Sequence, residues 1–127
     1  MKIEWHDSYA IGNQEIDTQH RELFHKAIVL LEAKDKAGLT DAVMGFFQYV
    51  RDHFTHEEEL MRHLKYPSIN EHMQEHDDLV SGLNSIATGI AAETLDRNKL
   101  AVFLSDWLTD HIGHSDAKLA AYLKLQN

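Results

Sequence analysis

The sequence predicts an all-α protein: an antiparallel up-down-up-down four-helix bundle with an irregular N-terminal arm and a short C-terminal helix. Three observations predict it. Apolar residues recur three and four positions apart along four long segments, the spacing that places side chains on one helix face. Short connections join these segments, and short connections make consecutive helices antiparallel neighbours. No stretch alternates apolar and polar residues for long enough to read as a strand.

The elements follow in chain order. Residues 1 to 16 carry Trp5, Tyr9 and Ile11 with Gly12 and Asn13, and read as an arm packed on the body. Asp17 is the expected N-cap of a first helix running to about Lys36. Gly38 is expected to break it, with the second helix starting near Thr40 or Asp41 and ending before Pro67, the one proline. That proline pushes Tyr66 away from helical geometry, so 66 to 68 is a turn, with Ser68 as the cap of the third helix. The third helix fades over residues 89 to 93. Asp96 caps a fourth helix carrying Leu100, Phe103, Leu104, Trp107 and His111, and residues 117 to 127 form the terminal helix.

At 127 residues the chain reads as one domain, 1–127. Twelve basic against twenty-one acidic residues give a net charge of −9. Such a balance repels phosphate backbones and anionic bilayers, which argues against nucleic-acid and membrane partners and for a monomer. Cysteine is absent, which excludes disulfides, thiolate metal sites, iron–sulfur clusters and cysteine nucleophiles. The N-terminus lacks a signal-peptide core and no apolar run could span a bilayer, so a cytoplasmic location is expected.

The apolar stripes are interrupted in a telling way. In the second helix the beats fall at Val43, Phe46, Val50, Phe54, Met61 and Leu64, and His53 and Glu57 fill the gaps. In the third, Ile69, Met73, Leu79, Leu83 and Ile86 set a stripe that also holds His72 and His76. His20 lies one turn before Leu23 and Phe24, and His111 one turn after Trp107. A lone inward histidine is usually a hydrogen-bonded core residue, but five on four stripes with a buried carboxylate need a compensating cation. His53/Glu57 and His72/His76 are four apart, so each pair stacks on one helix face. Imidazole and carboxylate ligands suit iron, zinc, manganese or copper. Asp116 follows His111 by five residues, about 140° away on a regular helix. It can share the site only if the helix is distorted, for instance by a π-bulge around Gly113. With Asp116 the donors number seven, more than one ion accepts, and two ions bridged by carboxylates is the economical count. The remaining histidines, His6, His25, His56, His63 and His114, fall on solvated flanks; His56 and Glu58 adjoin the ligand pair.

These residues, taken in order, resemble the hemerythrins, and most of all their single-domain bacterial branch. The resemblance rests on Trp5, Gly12, Ile16-Asp17-x-Gln19-His20, His53-Phe54-x-x-Glu57-Glu58-x-x-Met61, Tyr66-Pro67, His72-x-x-x-His76 and His111-Ile112-x-x-x-Asp116. It implies two non-heme irons, with an oxo or hydroxo bridge, in a four-helix bundle. His72, His76 and His111 would bind one iron, His20 and His53 the other, and Glu57 and Asp116 would bridge them. The iron with fewer protein ligands would leave a position open to dioxygen, beside an apolar pocket of Leu23, Phe54, Trp107, Leu108 and Ile112. Ser115 departs from the animal members, where an apolar residue is common nearby, and bears on how dry that pocket is.

Rival functions fit less well. Ferritin-like di-iron enzymes need two Glu-x-x-His pairs in the core, and Glu22-x-x-His25 is the one such pair here, out of phase with the stripe. A zincin needs His-Glu-x-x-His, and Leu60 stands where the second histidine should be. A histidine phosphotransfer module explains one exposed histidine, not five inward ones. The expected function is oxygen storage, delivery or scavenging by a binding protein, not an enzyme, re-reduced by a partner the sequence does not identify. An oxygen or redox sensor, or a di-iron enzyme acting on nitric oxide or peroxide, are the alternatives.

Overall fold

The computed structural model describes residues 3–125. Four helices form the bundle: α1 (Gln14–Glu32), α2 (Lys36–Leu64), α3 (Ile69–Ala91) and α4 (Arg97–Trp107). α4 runs without interruption into a π-helical segment, Leu108–Asp116, and then into α5 (Ala117–Leu125). α1 packs on α2 and α4, and α3 packs on the same two, so the helices enclose one interior in cyclic order. Residues 126 and 127, included in the expected terminal helix, lie outside the described residues, as do residues 1 and 2 of the arm.

Two apolar clusters fill the interior. The larger runs through Leu23, Phe46, Val50, Leu79, Leu83, Leu104 and Ile112. The smaller, Ile11, Ile16, Met61, Tyr66, Leu119 and Ala120, closes the end where the arm, the α2–α3 turn and α5 meet. The polar residues of the candidate site are buried together with them.

Several helix ends differ from the expectation, each for a local reason. Asp17 is not a cap. Asn13 caps α1, accepting from the Ile16 amide at 3.0 Å, and Asp17 lies inside the first turn. There its carboxylate accepts from the amides of Ile11 (2.7 Å) and Gly12 (3.3 Å), tying the arm to α1. The arm is shorter than the expected sixteen residues and contains one 3₁₀ turn, Asp7–Tyr9. Gly38 does not break a helix either. α1 already ends at Glu32, and Asp35 caps α2 by accepting from the Gly38 amide at 2.7 Å. A Cβ on Gly38 would sit 3.0 Å from that capping oxygen, so glycine permits the cap. Ser68 occupies the N-cap position of α3, but its hydroxyl makes no capping bond and accepts from Lys118 Nζ at 2.9 Å. Asp96 caps α4 as expected, accepting from the Asn98 and Lys99 amides. α2 ends on Lys65, left-handed at φ 54°, with the Tyr66 amide reaching back to the Met61 carbonyl at 2.9 Å.

The distortion needed for Asp116 is present and begins earlier than Gly113, at Leu108. In a π-helix hydrogen bonds run from i to i+5, so residues five apart stack. His111 and Asp116 therefore face the same interior although their spacing is wrong for an α-helix. Gly113 has a second use there, because a Cβ would meet the Tyr9 ring of the arm at 3.3 Å.

The arm's anchor gives a direct test. Asp17→Ala leaves the buried Ile11 amide without an acceptor and should cost about 2 kcal/mol in urea unfolding, as charged hydrogen bonds do. Gly12 has φ 88°, and a Cβ there would meet no other atom within 4 Å. Gly12→Ala should therefore cost about 1–2 kcal/mol through backbone strain alone.

Candidate metal centre

Seven side chains from all four helical arms converge in the interior. His20 comes from α1, His53 and Glu57 from α2, His72 and His76 from α3, and His111 and Asp116 from the π segment. All seven are buried, with Glu57 and Asp116 fully so. The five expected flank histidines, His6, His25, His56, His63 and His114, are all exposed.

The donors form two overlapping groups. Glu57, His72, His76 and His111 each offer an atom within 4.8 Å of the others, and His20, His53 and Glu57 do the same. Glu57 serves both, one oxygen to each. Its Oε1 faces His72 (2.5 Å), His76 (3.1 Å) and His111 (3.9 Å), while its Oε2 faces His20 and His53, both at 3.3 Å. Asp116 is divided the same way. Its Oδ1 lies 2.9 Å from His72 Nε2 and 3.4 Å from His111 Nε2, and its Oδ2 lies 3.1 Å from His20 Nε2. In every one of these contacts the imidazole atom is Nε2.

The outer nitrogens explain that orientation. His76 Nδ1–H donates to Glu58 Oε2 at 3.0 Å and His111 Nδ1–H to Glu75 Oε1 at 2.9 Å. His53 Nδ1–H donates to the amide oxygen of Gln19 at 2.8 Å. A carboxylate can only accept, so these partners hold the proton on Nδ1 and aim the Nε2 lone pair inward. Ser115 Oγ–H also donates to Glu75 Oε1, at 2.6 Å, and the Trp107 indole N–H reaches the Glu75 carbonyl at 3.4 Å. The polar departure at 115 is thus engaged with Glu75. Gln19 Nε2 in turn donates to His56 Nδ1 at 2.8 Å, which also lies 3.1 Å from Glu15 Oε1 at the exposed rim.

Burial alone would drive the carboxylates towards their neutral forms, but the surrounding imidazoles reverse this. Glu57 is held well below the usual range by His111, His20, His53 and His72. Burial and the Glu57 charge oppose ionisation of Asp116, yet His111 and His20 still bring it below its ordinary value. Burial likewise opposes a charge on His20, His72 and His111. The negative charges and close polar contacts of Asp116 and Glu57, joined at His111 by Glu75, overcome it and raise them to about 10, about 10 and about 9. His53 goes the other way, lowered by burial. His111 holds Glu75 down to about 2, helped by the Ser115 hydroxyl.

Among the described residues, four buried side-chain atoms have no partner in hydrogen-bonding geometry: His20 Nδ1, His111 Nε2 and both oxygens of Asp116, whose imidazole neighbours stand close but misaligned. Three of the four point at the shared interior, and unpaired buried polar atoms of this kind call for a partner. The Nε2 atoms of His20 and His53 are 3.0 Å apart. Two imidazole nitrogens each about 2.1 Å from one ion, at right angles, would be separated by about 3 Å. The donor set fits a pair of borderline cations, and sulfur plays no part in it.

The apolar residues singled out beside the site, Leu23, Phe54, Leu108 and Ile112, are buried in the main core cluster, and Trp107 packs against it. Phe54 stacks on the His76 ring at 3.6 Å between centroids, and Trp107 on His111 at 4.4 Å. Sequence reasoning gave Gln19, Glu75 and Ser115 no supporting role. A usable signal was available for Gln19, Glu58 and Glu75: each is adjacent in sequence to an inward donor, a polar group at the margin of the stripe.

Comparison with known proteins agrees with this geometry. The chain matches the family model described as the hemerythrin HHE cation binding domain over residues 12–123. It is similar to a myohemerythrin of Theromyzon tessulatum, 24% identical over 91% of this chain and 88% of that protein. A hemerythrin-like protein of Naegleria gruberi is 29% identical, over 94% and 92% of the two chains. A bacteriohemerythrin of Stenotrophomonas maltophilia is 28% identical, over 94% of this chain and 80% of that one. The crystal structure of a leucine-to-phenylalanine mutant shares the fold with a TM-score of 0.84, at 22% identity, covering 94% of this chain and 95% of the other. With a family model spanning most of its length and a buried cation-competent donor set in the bundle core, the chain belongs to the hemerythrin family.

Proposed function

We propose that this protein binds dioxygen reversibly at a pair of non-heme irons, as a storage, delivery or scavenging protein and not as an enzyme. The observation that carries this reading is the division of both buried carboxylates, one oxygen towards each histidine group. His72, His76 and His111 would hold one iron and His20 and His53 the other, with Glu57 and Asp116 between them. The pair, when bound, would supply oxygen affinity through exchange between its ferrous and ferric states. The di-iron domain would occupy residues 1–127 of a cytoplasmic protein, and the net charge of −9 favours a monomeric carrier that avoids phosphate-bearing partners.

The chain's own residues account for reversibility. The group of three histidines offers one position more donors than the group of two, so a small ligand would find its open position on the His20/His53 side. Leu23, Phe54, Trp107, Leu108 and Ile112 would form the apolar wall of the site, with Phe54 beside both His53 and His76, excluding water and the protons it carries. Phe54 and Trp107 also hold His76 and His111 by stacking on them, so the same side chains would dry the site and stiffen it. The family relationship and the histidine-rich donor set support a binding role over oxidative turnover.

Purified protein expressed with iron should contain about two irons per chain, and its reduced form should change spectrum reversibly with oxygen pressure. Glu57→Gln and Asp116→Asn should each lower metal retention at least tenfold, since even outer-shell changes cost about 10- to 100-fold. His114→Gln, exposed, should leave iron content intact. A single zinc per chain would overturn the reading, as would turnover of nitric oxide or peroxide without reversible oxygen binding.

Metal uptake should also release protons. Near pH 7 the metal-free chain holds protons on His20, His72 and His111, whose values lie at about 10, 10 and 9. Ligation requires neutral imidazoles, so about three protons should leave per chain loaded and affinity should rise with pH. Calorimetry of ferrous ion or zinc binding in buffers of different ionisation enthalpy measures this number.

Leu23→Ala and Ile112→Ala remove fully buried wall groups. Both should retain two irons, while the oxygen-dependent spectrum decays faster to that of the ferric protein.

A further inference from the structure

The two histidine groups are supported unequally. In the group of three, His76 donates to the Glu58 carboxylate and His111 to the Glu75 carboxylate. In the group of two, His53 donates to a neutral amide, Gln19, and His20 Nδ1 is buried with no partner. An imidazole whose outer N–H is held by a carboxylate gains basicity and donates more strongly to a cation, and the carboxylate brings a negative charge near it. A neutral amide fixes orientation without that charge.

Glu75 is the better built of the two acidic supports. One of its oxygens accepts from both His111 Nδ1–H and Ser115 Oγ–H, and its carbonyl takes the Trp107 indole N–H. It therefore grips Trp107 at the end of α4 and the π segment at 111 and 115, on the stretch that brings Asp116 inward. Gln19 is the counterpart across the site, accepting from His53 and donating to His56.

We propose that Glu75 and Glu58 on one side and Gln19 on the other are positioning residues that make the two metal positions unequal. The His72/His76/His111 position favours the more highly charged ion, and the His20/His53 position is the one that more readily gains or loses charge. This rests on the di-iron reading above. It goes beyond that reading by assigning the inequality to outer acceptors and not only to the number of ligands.

Opposite charge changes on the two sides provide the test. Glu75→Gln keeps the shape and an acceptor oxygen for His111 but removes a negative charge. Gln19→Glu keeps an acceptor for His53 and adds one. On iron-loaded protein, spectroelectrochemistry should show Glu75→Gln shifting the ferric-to-ferrous ratio towards ferrous about tenfold at a given potential, about 59 mV for a one-electron step. Gln19→Glu should shift it the other way. On zinc-loaded protein, Glu75→Gln should weaken zinc retention about tenfold and move the His111 Nδ1–H proton resonance upfield. Gln19→Glu should move the His53 resonance downfield. Shifts of the same sign in both variants would indicate general damage and overturn the proposal, as would unchanged potentials and resonances in protein that retains two ions. Wild-type protein that fails to load two ions would instead overturn the di-iron reading itself.

Discussion

Two carboxylates with no exposure to water, Glu57 and Asp116, are the constraint on which the rest of this bundle depends. A carboxylate in such a place is costly unless positive charge and hydrogen-bond donors meet it. The bundle meets that demand with imidazoles from every helical arm. Without metal, three of those imidazoles can carry the charge as protons. Removing the five histidines while leaving the two acids would give a core that could not be buried with its acids ionised. The apolar clusters supply stability on either side, but the layer of donors between them is held by electrostatics.

Local backbone geometry is subordinate to the same demand. Asp116 reaches the site because the chain widens into a π-helix from Leu108 to Asp116. That geometry is less favourable than an α-helix, and it is held from several sides. Glu75 of α3 binds His111 and Ser115, Tyr9 of the arm lies over Gly113, and α5 continues the chain with Leu119 and Ala120 buried in the second cluster. The arm, tied down by Asp17, thus supports the candidate metal centre without placing a donor in it. Its anchoring carboxylate lies three residues before His20.

The inward residues were legible in the sequence because burial imposes a period. His20, His53, Glu57, His72 and His76 fall in register with apolar neighbours, and the register alone points them inward. His111 shares that register and Asp116 does not, so its place depended on motif resemblance and on accepting a distortion near glycine. Helix ends were less legible. Asp17, Asp35 and Ser68 all have capping chemistry, and which of them caps depends on where the helix begins, a matter settled by packing of the arm and of Lys118. The supporting shell was least legible. Gln19 and Glu75 sit at stripe margins, where a polar residue is ordinary, and a partner 34 or 36 positions away in sequence leaves no periodic trace.

Charge counting connects the supporting shell to the centre. In the metal-free chain, imidazoliums at His20, His72 and His111 face carboxylates at Glu57, Asp116 and Glu75, three positive charges against three negative. Two divalent irons in place of those three protons would bring four positive charges. The fourth negative charge available is Glu58, which contacts His76 Nδ1 at 3.0 Å and is otherwise paired only loosely, 3.8 Å from Arg62. Glu57, Asp116, Glu58 and Glu75 together would carry a charge equal and opposite to that of two divalent cations. Two inner acids face the interior directly and two more stand at one remove behind imidazoles, so the charge matched to a pair of divalent cations is spread over two layers and does not crowd the core.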